Sequence, residues 1–214
     1  MPRPVKAPER DEIAPEEMDL YNKVVARYLP IGADPTTSDV KPDGYFGALL
    51  NSPLFAGNRQ DISSMVRTAG ERDNTYSHQD REFVDQVLAV HIGTNVVQRR
   101  HVPDAVACGV RIEAIDALRA GRDEDLTDDE RLLAEFIRQV VDGTVDDQHW
   151  DAIEARMGTR GAVEYTAFIT ILWLTMRQYQ AFGLYDPPDS EVDEILDGLR
   201  TGARELPDWR AGIR

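Results

Sequence analysis

Residues 127–141 read Thr-Asp-Asp-Glu-Arg-Leu-Leu-Ala-Glu-Phe-Ile-Arg-Gln-Val-Val, and this stretch decides the fold class. Thr127 followed three residues later by Glu130 is a capping box, in which hydroxyl and carboxylate each satisfy a backbone N–H that a first helical turn leaves free. Behind it Leu132, Leu133, Phe136, Ile137, Val140 and Val141 recur at the spacing that lines one face of an α-helix. The same pattern extends in both directions. Ser77-His78-Gln79-Asp80 is a capping box with Asp in place of Glu, followed by Phe83, Val84, Val87 and Leu88. A helix is expected from about Asn95 to Cys108, ended by Gly109 and kinked at Pro103, which has no backbone donor. Asp147 caps a helix with Trp150, Ile153 and Met157 that closes at Gly158. Pro15 suits a first turn ahead of the stripe Met18, Tyr21, Val24, Val25 and Tyr28. The last long helix, about Arg160 to Phe182, is apolar on most sides and is expected mid-bundle or at a subunit interface. No segment alternates with period two, so the expected fold is all-α with roughly eight to ten helices.

Proline is concentrated near the start. Residues 1–14 read as a mobile arm and 30–43 as an irregular connection, while Asp186-Pro187-Pro188 stops a helix before a short acidic helix and tail. The expected organisation is an N-terminal arm with one helix over 1–42, a helical domain over 43–185, and a C-terminal helix and tail over 186–214.

Charge and cysteine usage exclude several classes. With 24 Lys+Arg against 39 Asp+Glu, the net charge of −15 repels phosphate backbones, so no nucleic-acid partner is expected. Cys108 is alone and closes no internal disulfide, which favours a reducing compartment. The start lacks the apolar stretch of a signal peptide. The longest nearly apolar run, Ala167–Met176, is about half of the ~20 residues that a membrane span needs. A cytoplasmic protein with no membrane partner is expected.

The four histidines, His78, His91, His101 and His149, show no metal-ligand spacing. At about 100° per residue, His91 and His101 would lie about 280° apart even on one straight helix, so no metal is expected. The phosphate-binding and dinucleotide-binding glycine loops and the nucleophile elbow are missing, and no cofactor is expected. Gln98-Arg99-Arg100-His101 is a local reversal of sign in an acidic chain. A guanidinium matches a carboxylate bidentately, although a solvated helix face with i, i+4 pairs would read the same way.

The stretch Asp80 to Gly121, with Arg81-Glu82, His101-Val102-Pro103, Ala107, Gly109 and Ile115, resembles the carboxymuconolactone decarboxylase family, related to the alkylhydroperoxidase D proteins. The similarity includes Leu49-Leu50-Asn51-Ser52-Pro53 with Gly57 upstream, and Leu132 to Val141, Trp150 and Ala181-Phe182-Gly183 downstream, about residues 43–185 in all. It implies an alkylhydroperoxidase D-like helical bundle assembled as a trimer or hexamer. It also implies a Glu nineteen residues before a His that opens His-x-x-x-Ala-x-x-x-Gly; these positions hold Glu82, His101, Ala105 and Gly109. In the peroxidase branch that pair serves a Cys-x-x-Cys. The matching positions here are Thr94 and Val97, so thiol peroxidase activity is not expected. Where the decarboxylase branch carries aromatics and a second acid before the His, this chain has Val96-Val97-Gln98-Arg99-Arg100.

The resemblance implies a cofactor-independent lyase or proton-transfer enzyme acting on a small, anionic organic substrate. Losing carboxylate beside an unsaturated carbonyl leaves a dienolate that must be held and protonated at carbon. The expected roles are His101 as acid/base and Glu82 as its partner, with Gln98, Arg99 and Arg100 as substrate contacts. Asn51 and His91 are further candidates for substrate binding, and a homo-oligomer is expected. The alternative is a non-catalytic binding or assembly protein on the same scaffold.

Overall fold

The computed structural model describes residues 4–30, 32–42 and 44–212, so the first three residues of the expected arm lie outside the described residues. Nine α-helices and four short 3-10 turns are present, and no strand occurs among the described residues. The helices are α1 (Met18–Ala26), α2 (Gly44–Leu49), α3 (Pro53–Asp73), α4 (His78–Ile92), α5 (Val96–Ala107), α6 (Ile112–Ala120), α7 (Asp128–Asp142), α8 (Asp147–Ala181) and α9 (Asp189–Thr201). The chain divides into two compact units, residues 1–65 with 177–185 and residues 66–176 with 186–214.

In the first unit, Tyr21, Val24 and Val25 of α1 pack with Tyr45, Leu49 and Leu50 and with Tyr179 and Phe182. Tyr45 stacks on Tyr179, with ring centroids 5.4 Å apart, and its hydroxyl donates to Gln178 Oε1 at 2.5 Å. The arm is not free of the fold from Pro4 onward: the Val5 amide donates to the Phe182 carbonyl at 2.9 Å, and Ile13 is buried. Gly47 has no room for a side chain, because a Cβ would stand 2.2 Å from the Pro42 carbonyl oxygen.

The second unit is built around α4. Twelve of its fifteen residues are buried, including His78, Asp80, Arg81, Glu82, Asp85 and Gln86, so it is enclosed on its polar as well as its apolar side. The sequence places the last long helix mid-bundle or at a subunit interface. In the structure the C-terminal part of α8 buries a single stripe, Ala162, Tyr165, Phe168, Ile169, Leu172 and Met176, while Val163 is 55% exposed. Gly158 breaks α8 where a stop is expected, with φ 74° and ψ 161°.

Both capping boxes form as read, Ser77 with Asp80 and Thr127 with Glu130. Gly93 closes α4 in the left-handed conformation, and α5 begins three residues later. Pro103 sits inside α5 without ending it. The start of α5 is held from a distance in sequence: Asp186 Oδ1 accepts from the amides of Asn95 (2.7 Å) and Val96 (2.9 Å) and from the Thr94 hydroxyl (3.0 Å). A carboxylate satisfying the free N–H groups of a helix start is favoured by hydrogen bonding and by the helix dipole together. Asn95 Nδ2 adds donations to the Pro187 carbonyl and to Asp189 Oδ1, so the segment entering α9 fixes where α5 starts. No helix among the described residues is long and apolar enough to cross a membrane.

Candidate functional site

α4 carries His78, Arg81, Glu82 and Asp85 within about 100° of arc, since residues advance by about 100° each. Around the rest of the helix Phe83, Val84, Val87 and Leu88 enter the apolar core. The polar arc is not solvated: His78 and Arg81 are 6% exposed, Glu82 1% and Asp85 0%. Such groups are tolerated inside only when they are bonded or compensated in charge.

Most of them are linked in one chain of contacts. Glu71 Oε1, near the end of α3, lies 3.0 Å from His78 Nδ1, and His78 Nε2 lies 2.9 Å from a guanidinium nitrogen of Arg81. A guanidinium only donates, so His78 Nε2 accepts and its Nδ1–H donates to Glu71. Arg81 also donates to Glu82 Oε1 at 3.1 Å and, through its other terminal nitrogen, to the Arg67 carbonyl oxygen at 2.8 Å. Glu82 Oε2 then receives His101 Nδ1–H at 2.9 Å. One carboxylate thus bridges a guanidinium and an imidazole brought in from α5.

His101 is set by the spacing of α5, whose Val97, Val102 and Ala105 are buried, and its side chain remains 20% exposed. Its Nε2 has no hydrogen bond among the described residues. Asp85 Oδ2 approaches the same Nδ1 at 3.6 Å, and neither Asp85 oxygen has a hydrogen-bond partner. Burial works to raise the pKa of Glu82, but the charge and hydrogen bond of His101, with Arg81 and Arg67 behind them, hold it down at about 2. Burial works to lower the pKa of His101, and is outweighed by the carboxylates of Asp85 and Glu82, so its pKa is raised. Burial and the neighbouring Glu82 push Asp85 upward against the pull of His101, Arg67 and Arg81. Glu82, Asp85 and His101 each offer a ligand atom within 4.8 Å of the others, the spacing at which three groups can share a metal ion. Arg81 is bonded to Glu82, and the charge of Arg67 acts on both carboxylates.

The other expected contacts are placed elsewhere. Arg99 and Arg100 are exposed, and Arg99 pairs with Glu191 of α9 at 2.7 Å. Gln98 is buried, its Oε1 accepting from Arg119 at 2.8 Å while its Nε2 has no partner. His91 is exposed near the end of α4, with Nε2 2.9 Å from Asp142 Oδ1. At 1.5 Å per residue it lies about 13 Å along the helix from Glu82. Asn51 belongs to the first unit, where its amide donates to the carbonyls of Lys6 and Ala48. Thr94 and Val97 are buried, and Cys108 donates to the Ala105 carbonyl while burial pushes its thiol up to about 12.

Asp85, His78 and Arg67 are members that the sequence reading does not find. The signal for the first two is the run His78-x-x-Arg81-Glu82-x-x-Asp85, which reads equally well as a solvated face, and Arg67 has none. Two cavities in the second unit, of about 160 and 90 Å³, are bordered by Glu135 and His149 and by Asp80, Phe83 and Arg156 respectively; His101 borders neither. Comparison with protein-family models, curated proteins and solved structures gives no match to this chain.

Proposed function

We propose that this protein is a cofactor-independent enzyme that moves a proton in the decarboxylation, isomerisation or ring closure of a small anionic organic molecule. One observation carries the reading: His101 Nδ1 is committed to the buried Glu82 at 2.9 Å, which leaves Nε2 of a part-exposed imidazole without a hydrogen bond among the described residues. A carboxylate–imidazole pair of this kind fixes the tautomer and stabilises the charged ring. In a decarboxylation the substrate carboxylate leaves as carbon dioxide, and its bonding electrons pass into a conjugated carbonyl as a dienolate. The Nε2 proton then goes to carbon, leaving a neutral imidazole still donating through Nδ1 to Glu82.

The residue pattern shared with the carboxymuconolactone decarboxylase family supports this class of chemistry, and the absence of sulfur at positions 94 and 97 argues against its thiol branch. The test is a screen of unsaturated lactone acids and enol acids with wild type and His101→Ala. A loss on the order of 10²–10⁴-fold in turnover is expected on removing the acid/base. Turnover untouched by His101→Ala would remove His101 from the mechanism, and no turnover of any of these acids would support the binding or assembly reading instead.

A homo-oligomer in the cytoplasm is part of the same proposal. On α3, Leu54, Phe55, Ile62 and Met65 are 58, 43, 41 and 55% exposed, and at about 100° per residue they occupy one strip about 100° wide. Sedimentation as a monomer at micromolar concentration would remove the oligomer.

A further inference from the structure

Two carboxylates address one imidazole nitrogen. Glu82 Oε2 stands 2.9 Å and Asp85 Oδ2 3.6 Å from His101 Nδ1, and the two acids are one turn apart on the same face of α4. Glu82 is fully used, with one oxygen on His101 and the other on Arg81. Asp85 is not. It is 0% exposed, and neither oxygen accepts a hydrogen bond. An ionised carboxylate in that position is costly unless a positive charge is close, and the closest group able to carry one is the His101 ring.

We infer that Asp85 is a positioning residue that acts through His101, holding the imidazole in its protonated form so that the site begins its cycle as a proton donor. The inference rests on His101 being the acid/base and narrows the chemistry that follows from it. A ring stored as imidazolium protonates a carbanion or enolate generated elsewhere on the substrate, as in loss of carbon dioxide or ketonisation of an enol acid. It is poorly placed to begin by abstracting a proton.

The groups facing His101 set the balance. From α4 come Glu82 and Asp85, with Arg81 and His78 behind Glu82; from α3 come Arg67 and, farther along, Glu71. Arg67 opposes protonation of the ring, yet it makes no ion pair among the described residues, while the two acids are close. At separations of 3–4 Å each acid outweighs a cation standing farther away.

The experiment is an NMR titration of the ¹⁵N-labelled histidines in the full chain, with His101 assigned by its disappearance in His101→Gln. In wild type the His101 midpoint is expected above the ordinary 6.5. In Asp85→Asn its proton affinity is expected to fall at least tenfold, while Glu82 still holds Nδ1–H. A wild-type midpoint at or below 6.5 overturns the inference even if the variant does not fold. A folded Asp85→Asn with an unmoved midpoint also overturns it, since a merely structural role would lower stability and leave the titration alone. If the midpoint shifts as expected but His101→Ala keeps full turnover, the charge-holding role of Asp85 stands and the proton-transfer function falls.

Discussion

Replacing Glu82 by Gln removes one charge from the buried network with little change of shape, and its effect on stability depends on pH in a way that identifies the cause. The carboxyl moves from an ordinary 4.5 to about 2 in the folded chain. That difference corresponds to about 3 kcal/mol of stability at neutral pH. The size agrees with the ~3–5 kcal/mol lost when one member of a buried ion pair is removed and the other is left uncompensated. The sign follows from a depressed folded-state value. The stabilisation is fully present above about pH 4.5 and is lost as pH falls toward 2. Urea unfolding followed by tryptophan fluorescence gives the assay. Glu82→Gln should be less stable than wild type by about 3 kcal/mol at pH 7, and the gap should shrink to roughly half by pH 3. A gap of the same size at both pH values would mean that packing or hydrogen-bond geometry, and not the ionised carboxylate, is what Glu82 contributes.

Three further outcomes test the surroundings of the site. Asp186→Ala strips Oδ1 from two amides and the Thr94 hydroxyl at the start of α5, so a loss of about 1–2 kcal/mol is expected, with faster hydrogen exchange at Val96 than in wild type. His149 is raised by hydrogen bonds to Glu135 and Asp146, so its contribution is complete below about pH 6.5 and fades as pH rises through its folded value. His149→Gln should therefore cost about 1 kcal/mol or less, and more at pH 6 than at pH 9 in thermal melts. Cys108, with its thiol pushed up to about 12, should react with a disulfide reagent at pH 8 on the order of 10³-fold more slowly than free cysteine until the chain is unfolded.

The strongly patterned helices were legible because their local chemistry and their burial agree. In α7 the capping box and the apolar stripe both survive in three dimensions, with Leu133, Phe136 and Ile137 buried. For α3 the two disagree. Its buried apolar side chains are small and scattered, Ala56, Val66 and Ala69, Arg59 is buried among them in sequence, and Leu54, Phe55, Ile62 and Met65 are exposed, so no stripe marks its 21 residues. The Glu82–His101 pair was implied by the family resemblance, and packing places the two 2.9 Å apart. Asp85 and the burial of Arg81 were hidden for a physical reason. A carboxylate and a guanidinium opposite an apolar arc look like a solvent face, and only the enclosure of α4 makes them interior groups. Arg99 and Arg100, the cations next to His101 in sequence, are exposed, whereas His101 is part-buried.

That exchange of arginines alters how the site's charge is understood. The cations that bear on His101 come from α3 and α4 and not from its own helix: Arg81 is bonded to Glu82, and Arg67 acts on Glu82, Asp85 and His101 alike. Glu71, Glu82 and Asp85 carry three negative charges, and Arg67 and Arg81 carry two positive ones. With all three acids ionised the cluster is neutral when His101 holds a second proton, and a buried cluster favours the state with least uncompensated charge. Delivering that proton to an enolate or carbanion would leave the cluster one charge negative. The same electrostatics that load the ring for donation would then favour recapture of a proton from solvent. Loading and reloading would both depend on Asp85 remaining an acid, whereas exchanging Arg99 or Arg100 for a neutral residue would alter neither.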